Sequence, residues 1–384
     1  MGQAVCVSTA EPVDLGDLRE VVRDFLAARS PSSAVRTAMD SGYDHGLWRE
    51  LAADLGLAAI AVPEEFGGAG AGMAELTVVF EEMGAALLCA PYFATVALAI
   101  PTLLGSADAA AAREYLPSLV DGARTATVIF NGTLDAFDPA AVTLTARSGP
   151  DYRLYGAADR VIDGYTANTV LAVANTDVGT TLFAVDTDAS DAAGLTREPL
   201  ATLDRTRKVA RLNFDGVSAR RIGVDGGAAP GLQRAYHLAV VALAAEQLGA
   251  AQRCLDMAVN YAKERIQFGR AIGSFQAVKH RCADMLVAVE GARSAVQHAA
   301  GLPDGEDLAV AASVAKMACS EAFLQVALDN MRVHGGIGFT WEHDAHLYVR
   351  RAKTTQLIFG TPDHHAQALA TLVASSGHQP EGPP

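Results

Sequence analysis

The sequence predicts an α+β protein with three parts: an N-terminal helical domain, a central antiparallel β-domain that closes like a barrel, and a C-terminal four-helix-type bundle. Three observations predict this order. Apolar residues recur at helical spacing in the first third, short β-prone runs follow, and long helical runs resume after a Gly-rich linker. The expected boundaries are 1–119, 120–223 and 224–375, followed by a disordered tail over 376–384.

The first part contains two clear helix-forming segments. In "HGLWRELAADLGL" the side chains of Trp48, Leu51 and Leu55 fall on one helical face, and Pro63 with the glycines after it ends the segment. The run "AELTVVFEEMGAALLCA" predicts a second helix.

One uncharged stretch, 83–107, has the length and apolarity of a membrane span. Pro91 and Pro101 interrupt it, and acidic residues adjoin both ends. We therefore expect a pair of buried helices in a soluble protein, broken at the prolines.

Six short runs rich in Val, Leu, Thr and Phe predict the strands of the middle domain. They are "TATVIF", "AVTLTAR", "YRLYGAADRVI", "TVLAVANT", "TTLFAVDT" and "KVARLNF". Turn sequences separate them and no long helix intervenes, so the sheet is predicted to be antiparallel.

Long apolar runs predict the helices of the last part. The first begins just after Pro230, because proline is favoured in the first turn of a helix. Further helices are predicted over "SFQAVKHRCADMLVAVEGARSAVQHAA", "DLAVAASVAKMACSEAFLQVALDNMRVHG", "DAHLYVRRAKTTQLIF" and "PDHHAQALATLVAS".

Composition excludes several kinds of function. The formal net charge of −14 disfavours binding to nucleic acid or to anionic membranes. The five cysteines are scattered, as is typical of free thiols in a reducing cytoplasm. The first residues lack a basic region followed by an apolar run, so we expect no signal peptide and a cytoplasmic protein.

The histidine-containing segments do not predict a metal site. In "WEHDAH", His343 and His346 lie three residues apart beside acidic residues, a spacing that would also suit metal ligands. Because no cysteine or further histidine cluster is nearby, we interpret the acidic residues as a helix start and the histidines as side chains that face solvent or a neighbour. The pair His364–His365 receives the same interpretation.

Three segments resemble the acyl-CoA dehydrogenase family. They are "LWRELAADLGLAAIAVPEEFGGAGAG", "YAKERIQFGRAIGSFQAVKHRCADM" and "VHGGIGFTWEHDAHLYVRRA". The resemblance covers nearly the whole chain in the family's order of domains. It implies the family's fold, FAD as cofactor, and α,β-dehydrogenation of an acyl-CoA thioester, in which a carboxylate removes the α-proton.

The resemblance further implies a subunit similar to those of bacterial hetero-oligomeric dehydrogenases that act on CoA thioesters of steroid side chains. A homologous dehydrogenase subunit would be the partner and an electron-transferring flavoprotein the acceptor. The residues that match family contacts to a neighbouring subunit's FAD are Arg265, Gln267, Phe268, Gln276, His334, Gly335 and Gly336. Arg332, where the family often has Gln, could also serve a phosphate.

The segments that hold a subunit's own flavin ring depart from the family pattern. The family's TEPxxGSD loop corresponds to "VIFNGTLDAFDP" (Val128–Pro139), and its W-I-T segment to about Arg160, Val161 and Ile162. Phe359 stands where the family has its catalytic glutamate. A phenyl ring cannot accept a proton, although the backbone N–H of this residue could still donate to a thioester oxygen.

Some relatives carry the base on the first long helix of the bundle, at the place of Ala239 here. Glu246 lies seven residues further along and is expected to pack at a helix interface or to pair with an arginine. It is retained as the fallback candidate for the base, and no other catalytic residue is identified.

Three hypotheses follow, in order of preference. In the first, a homologous partner supplies the glutamate and the flavin-ring pocket, while this chain clamps the partner's FAD. In the second, the chain is a complete homotetrameric dehydrogenase whose base is Glu246 or Asp363. In the third, it is a flavin monooxygenase on the same fold, which needs no base for an α-proton, or a non-catalytic binding module.

Overall fold

Helices occupy both ends of the chain, and a seven-stranded sheet lies between them. The structure, a computed structural model, describes residues 14–149, 151–188, 192–303 and 305–375. The predicted order of helical domain, β-domain and helical bundle is confirmed. The expected tail over 376–384 lies outside the described residues.

Six α-helices form the described N-terminal part. They are α1 (Leu15–Arg29), α2 (Ser32–Ser41), α3 (His45–Arg49), α4 (Met73–Ala85), α5 (Ile100–Gly105) and α6 (Ala109–Val120). Trp48 and Leu51 are buried, as their spacing predicts.

The uncharged stretch is buried, but it is not broken at both prolines. A π-helical segment, Phe93–Ala99, runs directly into α5, and Pro101 lies in the first turn of α5. The N–H of Ile100 donates to the carbonyl of Thr95, and this π-type bond lets the helix continue past a residue that has no donor. The helical run therefore continues through Pro101, where the sequence predicted a break.

The described residues contain one helix that is long and apolar enough to cross a membrane, over 307–339. Of its most apolar window, 56% is buried inside the fold.

The middle domain is a closed, barrel-like sheet. Its strands are β1 (Ala126–Ile129), β2 (Leu144–Arg147), β3 (Tyr152–Ile162), β4 (Thr169–Asn175), β5 (Thr180–Asp186), β6 (Leu195–Pro199) and β7 (Val209–Ile222). The pairings β4–β2–β3–β7–β5 return to β4 and close the ring, while β1 joins β4 and β6 joins β7.

The sheet is mixed, which corrects one detail of the prediction. Five of its seven pairings are antiparallel, but β4 pairs in parallel with β1 and with β2. The chain between β1 and β4 is long enough to return in the same direction, and a parallel pair needs such a crossover.

Five helices form the C-terminal bundle. They are α7 (Ala229–Glu264), α8 (Gln276–Ala300), α9 (Glu306–His334), α10 (Ala345–Leu357) and α11 (Pro362–Ser375). Pro230 lies in the first turn of α7, as predicted. A short hairpin of β8 (Ile266–Gln267) and β9 (Arg270–Ala271) separates α7 from α8.

Helices α4 and α7 cross at glycines. A Cβ atom at Gly249 would lie 1.7 Å from the carbonyl oxygen of Glu81, and one at Gly84 would lie 1.9 Å from that of Glu246. Only glycine permits this approach, which brings the N-terminal domain against the middle of α7.

Candidate functional site

The ring of Phe359 fills the position at which the family resemblance places a catalytic side chain. It is 2% exposed and lies in a cluster of aromatic rings. Phe93 stacks on it with ring centroids 6.3 Å apart. Phe130 and Tyr236 meet it edge to face at 6.1 and 5.9 Å. The space beside the backbone of residue 359 is therefore occupied by the protein's own apolar side chains.

Both backbone groups of Phe359 are engaged. Its N–H donates to the carbonyl oxygen of Leu134 at 2.7 Å. Its carbonyl oxygen accepts from the hydroxyl of Tyr236 at 2.8 Å and from Nε2 of His365 at 2.9 Å. The left-handed conformation of this residue (φ 60°) directs these groups. The N–H that could have met a thioester oxygen thus already has a partner within the chain.

The neutral form of His365 suits this position. Burial lowers the pKa of the ring to about 4, and nearby Lys316 acts in the same direction. A neutral imidazole that donates from Nε2 to Phe359 can accept at Nδ1 from the hydroxyl of Ser313, 3.1 Å away.

Leu134 lies in a loop that is folded onto itself. The side-chain amide of Asn131 donates to the carbonyl of Ala136, and its oxygen accepts from the N–H of Asp138. Phe137 is buried and packs on Phe130, with ring centroids 5.6 Å apart. This loop occupies the stretch that was matched to the family's TEPxxGSD loop.

The segment matched to the family's W-I-T motif ends β3. Val161 and Ile162 are buried, whereas Arg160 has a left-handed backbone (φ 58°). The next residue, Asp163, was not singled out from the sequence. Its carboxyl is buried, and burial raises its pKa to about 7 even though Arg207 opposes the shift.

Glu246 is held in a buried ion cluster. Arg207 donates to both of its carboxylate oxygens, and Nη1 of Arg351 donates to one of them at 2.6 Å. Burial by itself would raise the pKa of this carboxyl, but the two guanidinium groups outweigh burial and lower it. Arg351 also donates to Asp204 at 2.8 Å, which ties α10 to the loop before β7.

These contacts give Glu246 the predicted arginine partner and make it a poor base. A carboxylate with a lowered pKa and occupied oxygen atoms takes up a proton weakly. The cavity beside it has a volume of about 20 Å³, which is room for a water molecule and not for an acyl thioester.

The other base candidates are no better placed. Asp363 lies exposed in the first turn of α11. Ala239 is fully buried on α7 and carries no ionisable group.

The residues that the family resemblance assigns to a neighbour's FAD lie at the C-terminal ends of α7 and α9, at the start of α8 and in the hairpin between α7 and α8. Arg265 caps α7, Gln276 begins α8, and both are exposed. Phe268, between β8 and β9, is 91% exposed, and Gln267 beside it is also exposed. Such exposure of a large aromatic side chain is typical of a surface that something else covers.

His334 is buried between two other rings. It is 6% exposed, and its ring stacks on that of Tyr261 with centroids 4.3 Å apart, while the ring of His343 lies tilted against its other side at 4.2 Å. Its Nδ1 lies 2.9 Å from the carbonyl of Asn330. The stack joins the end of α7 to the end of α9, and so brings the two assigned segments together.

The glycines after His334 differ in what they require. Gly335 adopts a left-handed backbone (φ 64°), which favours glycine. Gly336 has no positive φ, and a Cβ atom there would meet nothing within 4 Å. Nothing among the described residues explains a glycine at 336, whereas a molecule laid on this surface from outside would.

Arg332 shares a carboxylate with a second arginine. It donates to Asp329 at 2.8 Å, and Arg281 donates to the same oxygen atom. Two guanidinium groups around one carboxylate leave an excess of positive charge beside the glycines. Exposed guanidinium groups and open glycine backbone are groups that can bind phosphate.

No group of three metal-ligating side chains occurs among the described residues. His343 stacks on His334, and His346 is buried with its ring 4.7 Å from that of Trp341. Asp344 precedes α10, in agreement with the predicted helix start.

Comparison with known proteins identifies the family of the chain. The N-terminal domain of the acyl-CoA dehydrogenase family matches residues 14–123, and the C-terminal domain of that family matches residues 233–373. The chain is 37% identical over 358 residues to acyl-CoA dehydrogenase IpdE2 of Mycolicibacterium smegmatis, an alignment that covers 93% of this chain and 97% of that protein.

Two solved structures are also similar. The ChsE4–ChsE5 complex from Mycobacterium tuberculosis matches with a TM-score of 0.85 and 30% identity, over 98% of this chain and 100% of that chain. A variant of the Tcur3481–Tcur3483 steroid ACAD matches with a TM-score of 0.83 and 33% identity, over 95% of this chain and 99% of that chain.

Proposed function

The chain belongs to the acyl-CoA dehydrogenase family of FAD-dependent oxidoreductases, and from this premise we propose that it is the subunit of a hetero-oligomeric dehydrogenase that clamps FAD for a catalytic partner. The partner is a homologous subunit that supplies the glutamate and the pocket for the flavin ring. When bound, the FAD takes up the hydride from the β-carbon of an acyl-CoA. This chain supplies cations and open backbone to the cofactor from across the interface.

One observation carries the proposal. The N–H of Phe359 donates to Leu134, and the ring beside it is enclosed by Phe93, Phe130 and Tyr236. A thioester bound here would need that donor and that space, and both are in use. The chain's own substrate site is therefore closed by its own residues.

The surface at the C-terminal ends of α7 and α9 supports the second half of the proposal, the binding of a partner's FAD. Arg265, Phe268 and Gly336 are exposed to solvent, and the exposed ring of Phe268 meets that of Phe275 edge to face, with centroids 6.0 Å apart. They fit a cofactor presented by another subunit. The similar ChsE4–ChsE5 and Tcur3481–Tcur3483 structures bear names of two chains each, which supports a hetero-oligomer here.

We propose a steroid side-chain acyl-CoA as the substrate of the assembled enzyme, since one similar structure is named a steroid ACAD. An electron-transferring flavoprotein as acceptor and a cytoplasmic location complete the proposal. The pairing of Glu246 with two arginines argues against a self-sufficient enzyme that uses Glu246 as its base.

The test compares this chain alone with the same chain co-expressed with a homologous subunit. Each preparation is assayed for flavin per chain and titrated anaerobically with straight-chain and steroid acyl-CoAs. We expect the lone chain to be colourless, or yellow but never bleached, and the complex to bleach. One flavin per chain that a thioester bleaches in the lone chain would contradict the proposal.

A further inference from the structure

The surface that carries Gly335 and Gly336 is fastened to the N-terminal domain by one arginine. Arg36, on α2, donates through Nη1 to the carbonyl of Trp341 at 2.7 Å. Through Nη2 and Nε it donates to one oxygen of Asp344 at 2.6 and 3.2 Å. The hydroxyl of Ser32, also on α2, donates to the same oxygen at 2.7 Å.

These contacts lie just after the turn Gly335–Phe339, the glycine turn. The turn Gly335–Phe339 begins at His334, whose ring is fixed between Tyr261 and His343. It is followed at once by the segment 341–344, which Arg36 holds. The turn is thus fixed at its start by stacked rings and at its end by a guanidinium group.

The chemistry of Arg36 suits positioning. A planar guanidinium that satisfies a carbonyl and a carboxylate at once fixes the direction of both, which a lysine ammonium does less well. The ion pair is partly exposed, with side-chain exposures of 29% and 30%, and a pair of this kind adds little to stability. The pair therefore acts more on the geometry of the turn than on the free energy of unfolding.

We propose that Arg36 is a positioning residue for the cofactor: by fixing Trp341 and Asp344 it holds the glycine turn in the shape that receives the partner subunit's FAD. This inference rests on the proposed function. It gives α2, in the domain farthest in sequence from the turn, a part in binding the cofactor.

The test measures FAD release from the co-expressed holo-complex, followed by the rise of flavin fluorescence after dilution. Arg36→Met is expected to release FAD at least about tenfold faster, because small displacements of a positioned group cost one to two orders of magnitude. Arg36→Lys should restore part of the loss. The matched control is Arg29→Met, which removes a bidentate pair with Glu50 elsewhere in the same domain.

The melting temperatures of Arg36→Met and Arg29→Met should agree within a few degrees, while only Arg36→Met speeds release. Wild-type release in Arg36→Met, or equal acceleration in both variants, would overturn the positioning role. Gly336→Val in the same complex separates the two levels of inference. If Gly336→Val speeds release and Arg36→Met does not, only the positioning role is wrong; if neither does, the proposed clamp itself fails.

Discussion

The backbone N–H of Phe359 donates a hydrogen bond of 2.7 Å to the carbonyl oxygen of Leu134, and this bond joins the helical bundle to the β-domain. It uses the donor nearest the place where a family member has its catalytic base. A missing carboxylate and an occupied donor are separate obstacles to catalysis. Single substitutions can distinguish these two obstacles from each other and from a simple loss of stability.

Restoring the glutamate alone should not restore activity. In Phe359→Glu the new carboxyl would lie buried among aromatic rings, and Leu134 would still hold the N–H. We expect no bleaching of flavin by acyl-CoA in the lone variant. We also expect a loss of at least about 2 kcal/mol in the free energy of unfolding, since the carboxyl is buried among apolar rings.

Phe359→Leu is the control for that experiment, since it replaces the ring with a smaller apolar side chain and adds no polar group. It should lose stability by the cavity it creates and stay inactive. Turnover near that of a complete dehydrogenase in Phe359→Glu would mean that the site is open after all.

Removing the charge of Glu246 should damage the fold rather than a catalytic step. Glu246→Gln leaves Arg207 buried without its carboxylate partner and Arg351 with Asp204 alone, which should cost about 3–5 kcal/mol in the free energy of unfolding measured with urea. Glu50→Gln, which breaks only an exposed pair with Arg29, should cost far less. A Glu246→Gln chain of normal stability that loses turnover would instead identify Glu246 as a base.

The contribution of His365 to stability should fall in mild acid, whereas buried Asp163, whose pKa is raised to about 7, acts in the opposite direction over the same range. The pKa of His365 is about 4 in the folded chain, below the ordinary value of 6.5, so the unfolded chain binds the proton more readily between these values. The contribution is complete above about pH 6.5 and is lost as the pH falls towards 4. The gap corresponds to about 3 kcal/mol at most.

Urea unfolding at several pH values in this window would measure the slope. His365→Gln should gain stability relative to the wild type as the pH falls from about 6.5 to 4, whereas His364→Gln, a change at the exposed neighbour, should follow the wild-type pH dependence. An unchanged slope in His365→Gln would assign the acid sensitivity to other groups.

Gly336→Val should spare the fold and weaken the complex's hold on FAD. The added side chain meets nothing in this chain, so the melting temperature of the lone chain should stay near that of the wild type. Gly249→Ala is the opposite case, because its Cβ would strike the carbonyl of Glu81, and the lone chain should be strongly destabilised. Loss of FAD retention in Gly336→Val without loss of stability would support the clamp.

Much of the fold could be predicted from the sequence, because it is encoded locally. Helical spacing around Trp48 and proline at the start of α7 act within one or two turns of chain. The parallel pairing of β4 with β1 and the unbroken helix at Pro101 could not be predicted, since both depend on partners distant in sequence or on an unusual hydrogen-bond pattern.

The same distinction applies to the site. That residue 359 is a phenylalanine and not a carboxylate can be read from the sequence, and an arginine partner for Glu246 could be expected in general terms. The identity of those partners, Arg207 and Arg351, is not, because they come from two other elements. Nothing in the sequence pointed to Leu134, since the acceptor is a backbone carbonyl that any residue could supply.

Under the proposed function, the bond between Phe359 and Leu134 also makes a return to independent catalysis difficult. Regaining the carboxylate alone yields nothing while the donor is occupied, and freeing the donor alone yields nothing while the carboxylate is absent. Under the proposed function neither change restores catalysis alone, so both would have to occur together. Under the proposed function, a lineage that reaches this arrangement depends permanently on its partner gene, and the two genes are expected to be inherited and lost together.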